Sequence, residues 1–87
     1  MSVTVELTYE LGKALGTSRF EVAGAATVAD AVRLARERFG EQALEFDRLT
    51  RLAAVSVNGV LVTHGRGLRT RLSDGDRVSF VRASAGG

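Results

Sequence analysis

An α+β domain, one main helix lying across a mixed five-stranded sheet, is what this sequence predicts. Three observations carry that expectation: strict apolar alternation at the start, one amphipathic stretch after residue 27, and apolar alternation again around residue 80. Each element follows from local chemistry.

Val3, Val5, Leu7 and Tyr9 alternate with Thr4, Glu6, Thr8 and Glu10, the period of a strand with one buried face. A glycine-containing polar stretch, Gly12 to Ser18, reads as the loop of a hairpin whose second strand carries Phe20 and Val22 between Arg19, Glu21 and Ala23. Thr27 with Asp30 three residues on is a helix-start signal. Val28, Val32, Ala35 and Phe39 then recur at helical spacing, Arg33, Arg36, Glu37 and Arg38 project outward, and Gly40 marks the stop.

Between Glu41 and Arg51 the pattern weakens to a connecting segment with a short helical turn around Ala43 to Leu49. Val55 and Val57 restore alternation, and Asn58-Gly59 is a strong two-residue hairpin signal returning through Val60 to Val62. Thr63 to Arg71 is a loop by composition. Asp74-Gly75 marks a tight turn before a last strand with Val78 and Phe80 facing inward. Two hairpins bracketing one helix close best with the first and last strands parallel and adjacent, which is the β-grasp arrangement. The expected division is a domain over 1–82 and a flexible tail over 83–87.

At 87 residues the chain supports one modest core but no deep substrate pocket, so a self-sufficient enzyme is a poor expectation. Its 45% hydrophobic and 25% charged residues are those of an ordinary globular domain. No apolar run approaches the roughly 18 residues that span a bilayer, and the start lacks a signal peptide's basic and apolar blocks, so the expectation is a cytoplasmic protein with no membrane partner. With no cysteine there is neither a disulfide framework nor a thiolate of its own.

The net charge of +2 comes from eleven arginines and one lysine, Lys13, against ten acidic residues. Arg66, Arg69 and Arg71 form a basic group, read as a solvated loop rather than a nucleic-acid patch, since only four phenylalanines and one tyrosine are present to stack on bases. His64, the single histidine, reads as a surface residue in a polar loop, and Asp74 and Asp76 as turn residues rather than a paired-carboxylate site. No metal or cofactor bound by this chain is expected.

The last two residues, Gly86-Gly87, have a chemical meaning if the terminus itself reacts. Lacking Cβ atoms, they make a thin thread able to enter a narrow channel and bring a carboxylate to another protein's chemistry, and Ala83, Ser84 and Ala85 keep the approach slender. The plainer reading is a frayed tail of small residues.

Here the sequence resembles the MoaD/ThiS family of ubiquitin-like sulfur carriers. The resemblance is carried by Leu52-Ala53-Ala54-Val55, Val57-Asn58-Gly59, the run Leu72-Ser73-Asp74-Gly75-Asp76-Arg77-Val78, and Ala85-Gly86-Gly87. It implies that a ubiquitin-activating-type enzyme uses ATP to adenylate the Gly87 carboxylate, and that sulfur from a donor protein then displaces AMP to leave a thiocarboxylate. A synthase or large subunit accepts that sulfur. The resemblance further implies that Gly86, Ala85 and Ser84 thread the partner's channel and that Phe80 and Val81 stand where relatives dock, although Phe80 is equally a core position.

Small subunits of molybdopterin synthases carry two prolines just before the final residues, where this chain has Arg82 and Ala83, and there is no proline anywhere in it. Gly67 to Leu72 resembles carriers serving cysteine biosynthesis or thio-containing metabolites, so the acceptor stays open among these. Two further roles remain beside the carrier: a ubiquitin-like modifier conjugated to lysines, with Lys13 as a possible acceptor of another carrier, and a non-covalent interaction module.

Overall fold

The N-terminal strand β1 (Ser2–Glu6) pairs antiparallel with β2 (Arg19–Ala23) on one side and parallel with β5 (Arg77–Arg82) on the other. Strand β5 in turn pairs antiparallel with β3 (Ala53–Val57), which carries β4 (Val60–Val62) at the far edge, giving the order β2-β1-β5-β3-β4. The computed structural model describes residues 1–62 and 66–82, with only the backbone of Arg66. This is the β-grasp sheet the alternation predicted, with the last strand central and parallel to the first.

Helix α2 (Val28–Phe39) begins in a full capping box: Thr27 Oγ1 accepts from Asp30 N at 3.2 Å while Asp30 Oδ2 accepts from Thr27 N at 3.2 Å. Its Val28, Ala31 and Ala35 are buried on the sheet face formed by Val3, Val5, Phe20, Val22, Val78 and Phe80. These side chains form the main core.

Between β1 and β2 the structure corrects the sequence reading. The strand stops at Glu6, and Tyr9 opens a helix, α1 (Tyr9–Leu15), with its own side chain 79% exposed. Thr8 Oγ1 accepts from Leu11 N at 3.1 Å, Leu11 and Leu15 lie one turn apart and are buried, and Gly16 ends the helix at φ 84°. Alternation through Tyr9 was therefore coincidental beyond Leu7, and the supposed loop from Gly12 is mostly helix. Gly12 fits there because a Cβ would meet Ser18 and Thr17 at 3.1–3.2 Å.

The weak segment after α2 is also more regular than predicted. A 3₁₀ turn (Gly40–Gln42) leads into α3 (Ala43–Thr50), whose Phe46 is 1% exposed. Phe46 stacks on Phe39 at 5.3 Å between centroids and meets Phe80 edge-on at 5.6 Å, so α3 closes one end of the core. Arg36 of α2 holds Asp47 of α3 through Nε at 2.9 Å to both carboxylate oxygens.

The β3–β4 hairpin turns on Asn58 at φ 50° and Gly59 at φ 86°, both left-handed as a type I′ turn requires. Of the predicted loop, Arg66–Arg69 forms a 3₁₀ turn, and Thr70 to Leu72 runs beside the start of α2: Val28 N donates to Thr70 O at 3.0 Å and Leu72 N to Ala26 O at 2.9 Å. Thr63, His64 and Gly65 lie outside the described residues. Among the described residues no helix is long and apolar enough to cross a membrane.

Candidate functional site

Strand β5 is the central strand, but its ladder to β1 ends at Ser79, and only the ladder to β3 reaches Arg82, its last described residue. The predicted thread, Ser84, Ala85, Gly86 and Gly87, lies outside the described residues. What the structure places is its root and the surfaces beside it.

Along β5, Val78 and Phe80 point into the core while Ser79 and Val81 face the side of the sheet without helices. Phe80 is 4% exposed against Phe46, so its place is the core and it offers no docking surface, which corrects the partner-contact expectation for it. Val81 is half-buried and sits in register with Ala54 on β3. One row over, Leu61 on β4, Ser56 on β3, Ser79 on β5 and Glu6 on β1 stand in register across the same face.

That face is divided chemically. Toward β4 it is apolar, with Val81, Ala54 and Leu61, the last 65% exposed. Toward β2 it is polar: Glu6 Oε1 accepts from Ser79 Oγ at 3.0 Å, and its carboxylate lies 3.3 Å from Arg77 Nε and 3.8 Å from Arg19 Nε. A partner covering the face meets an apolar half and a charged half side by side.

A second surface lies at the same end of β5. An open depression of about 550 Å³ has apolar walls from Tyr9, Leu11, Leu49, Leu52 and Ala53. Thr8, Glu10 and Arg82 complete its lining, and Leu52 is 82% exposed. Sequence reading missed this surface because Tyr9 was assigned to a strand; the usable signal was Leu52, a large apolar residue immediately before a strand.

The two aspartates of the last turn have structural tasks. Asp74 Oδ1 accepts from Ser2 N at 2.8 Å, tying the turn to β1. Asp76 Oδ2 accepts from Ser73 N at 2.7 Å and Oδ1 from Asn58 Nδ2 at 3.0 Å; the Ser73 amide first, then the Asn58 amide, hold the Asp76 carboxyl below its ordinary value. Among the described residues no cluster of histidine, aspartate and glutamate is arranged to hold a metal.

Comparison with known proteins agrees with this geometry. The chain superimposes on SAMP1 from Haloferax volcanii with a TM-score of 0.74 at 22% identity, covering 100% of both chains. It matches a chain of the subunit 1 and 2 complex of molybdopterin-converting factor from Helicobacter pylori with a TM-score of 0.67 at 21% identity, again over 100% of both. A chain of the BexX/CysO complex of Amycolatopsis orientalis gives 0.71 at 26% identity, covering 98% of this chain and 99% of that one. No functionally curated protein matches the sequence. The model of the ThiS family matches residues 5–87, nearly the whole length and through the final glycine pair. A β-grasp body with its last strand at the sheet centre, matched over that span, places this chain in the ThiS family of ubiquitin-like sulfur carriers and modifiers.

Proposed function

We propose that this chain carries sulfur as a thiocarboxylate on Gly87. The observation that supports the reading above all is the family match running to residue 87, the residue whose carboxylate would react. A carboxylate is a poor electrophile. Attack of a Gly87 carboxylate oxygen on the α-phosphorus of ATP, within a ubiquitin-activating-type partner, releases pyrophosphate and forms an acyl adenylate with AMP as leaving group. Sulfide-level sulfur then attacks the acyl carbon and expels AMP, leaving the thiocarboxylate. Delivered instead as the outer sulfur of a donor's persulfide, it expels AMP to form an acyl disulfide with the donor cysteine; a second thiol attacks that cysteine sulfur, releasing the thiocarboxylate and leaving a disulfide between the two cysteines.

In this reading the chain supplies no catalytic group, metal or cofactor. Gly86, Ala85 and Ser84 pass through the partner's channel, and the sheet face around Val81 docks. A synthase or large subunit then takes the sulfur to molybdopterin, cysteine or another thio-metabolite. The likeness to chains of two two-protein assemblies, BexX/CysO and the two subunits of molybdopterin-converting factor, is consistent with a small subunit that works against a larger one.

The test is intact mass. Incubation with the adenylating enzyme, ATP and a sulfur source raises the mass by about 16 Da as oxygen is exchanged for sulfur, and deletion of Gly87 abolishes the change. No mass change beside an enzyme that consumes ATP on this chain overturns the reading. If instead isopeptide conjugates to other proteins form and no thiocarboxylate is detected, the same adenylate serves protein modification.

A further inference from the structure

Arg82 is the last described residue of β5, and the five residues beyond it in the sequence span at most about 17 Å even when fully extended. A specific interface covers on the order of 800 Å² of each partner, equivalent to a disc of about 16 Å radius. An enzyme whose active site receives Gly87 must therefore lay its surface over the ground around Arg82. That ground includes more than the open sheet face.

On the α1 side it is the depression of about 550 Å³ whose lining includes Arg82 itself. Tyr9 and Leu52 flank it at 79% and 82% exposure, two large apolar side chains that add almost nothing to the core where they stand. Leu11 and Leu49 lie beneath them, so the floor is apolar and anchored in two helices. The rim carries one ion pair, Arg82 Nη1 to Glu10 Oε1 at 3.7 Å, with side chains 85% and 74% exposed, and a pair so open to water exchanges partners readily.

We propose that the adenylating enzyme seats an aliphatic or aromatic side chain in this depression, between Tyr9 and Leu52, and a charged group of its own against the Glu10–Arg82 pair. The inference rests on the carrier reading. A small metabolite is the poorer occupant, because the site is open and few polar groups converge on it. A second copy of the chain seated there would cover the tail's root and exclude the very enzyme that must reach Gly87. Anchoring at this point fixes the direction in which the tail enters the channel, which docking on the sheet face alone leaves unconstrained.

The experiment is ATP–pyrophosphate exchange by the ubiquitin-activating-type enzyme of the same cell, with the full chain as varied substrate. Three proteins are compared: the unsubstituted chain, the double variant Tyr9→Ser/Leu52→Ser, and Leu44→Ser as control. Leu44 is 77% exposed and lies outside the depression. The expected result is a KM for the double variant raised about tenfold or more with kcat within about twofold, and no change for Leu44→Ser. Amide hydrogen exchange of the unsubstituted complex should slow over 8–15 and 49–53, a readout that does not depend on the variants folding. An unchanged KM, an equal effect at Leu44, or unprotected amides beside an active complex overturns this inference alone. Failure of the enzyme to adenylate the unsubstituted chain overturns the carrier reading, and this inference with it.

Discussion

Asn58 reaches across from the β3–β4 turn to Asp76, donating through Nδ2 to the carboxylate at 3.0 Å while its own Oδ1 accepts from Arg77 N at 2.9 Å. One side chain thereby locks the hairpin turn to the first residue of β5. Asn58→Gly keeps a residue suited to φ 50° but removes both bonds. Its thermal midpoint, followed by circular dichroism, should fall below that of the unsubstituted chain, and Asn58→Ala should fall further because alanine resists that backbone geometry.

Acid should loosen the same corner. Asp76 is held below its ordinary value of 3.8 by the Ser73 amide and then Asn58, and Asp30 below 3.8 chiefly by the Ala26 amide, with Thr27 and Arg33 adding to it. A depressed folded value means the stabilisation is fully present above about pH 3.8 and is lost as pH falls through the lower, folded value. Thermal midpoints between pH 2 and pH 6 should drop at the acid end. In the double variant Asp30→Asn/Asp76→Asn the midpoint should start lower at pH 6 and fall less on acidification.

Phe46 is the residue whose loss should cost most. It is 1% exposed and bridges Phe39 and Phe80, so Phe46→Ala leaves a cavity between α3 and the sheet. The expected loss is about 3–5 kcal/mol by urea denaturation, a large share of the roughly 5–15 kcal/mol that such domains possess.

Phe46 also marks where the sequence was hard to read. Strands β1, β2, β3 and β5 and helix α2 were legible because each repeats its apolar residues at one clean period, and β4 because Asn58-Gly59 turns the chain back into it. Helix α3 places only one fully buried side chain in eight residues, so no period emerges around it. Helix α1 failed for the opposite reason: Leu7 and Tyr9 prolong the strand's alternation, and the capping action of Thr8 on Leu11 competes with that pattern only once both are seen in space. At the candidate site, Val81 was named through the family resemblance, and its register with Ala54 puts it on the open sheet face. Alternation also turned Phe80 inward, and its packing against Phe46 decides between the core and contact readings left open for it.

Gly67 should not tolerate a methyl group. A Cβ there would stand 2.9 Å from Val62 Cβ and 3.0 Å from the Val62 carbonyl carbon, closer than packed carbons come. Gly67→Ala should destabilise by about 1–3 kcal/mol, measured by urea denaturation. Gly67→Ala combined with Val62→Ala should recover part of that loss if the Val62 side chain is the obstacle.

Charge on the apolar half of the open sheet face should impair docking without harming the fold. Leu61→Arg alters a side chain already 65% exposed, so its thermal midpoint should stay within a few degrees of the parent. If the face docks as proposed, acceptance by the adenylating enzyme should drop about tenfold or more in kcat/KM, measured by pyrophosphate exchange.

The position of β5 between a parallel and an antiparallel neighbour also decides how the body answers to force. Tension along β5 from its Arg82 end meets the ladder to β3 first, over 80–82, and the ladder to β1 as well only from Ser79 inward, all of it in shear. A pull from that end is shared between the strands on both sides of β5 only once it reaches Ser79. Whatever hangs from the strand is held by the middle of the weave more than by its last residue.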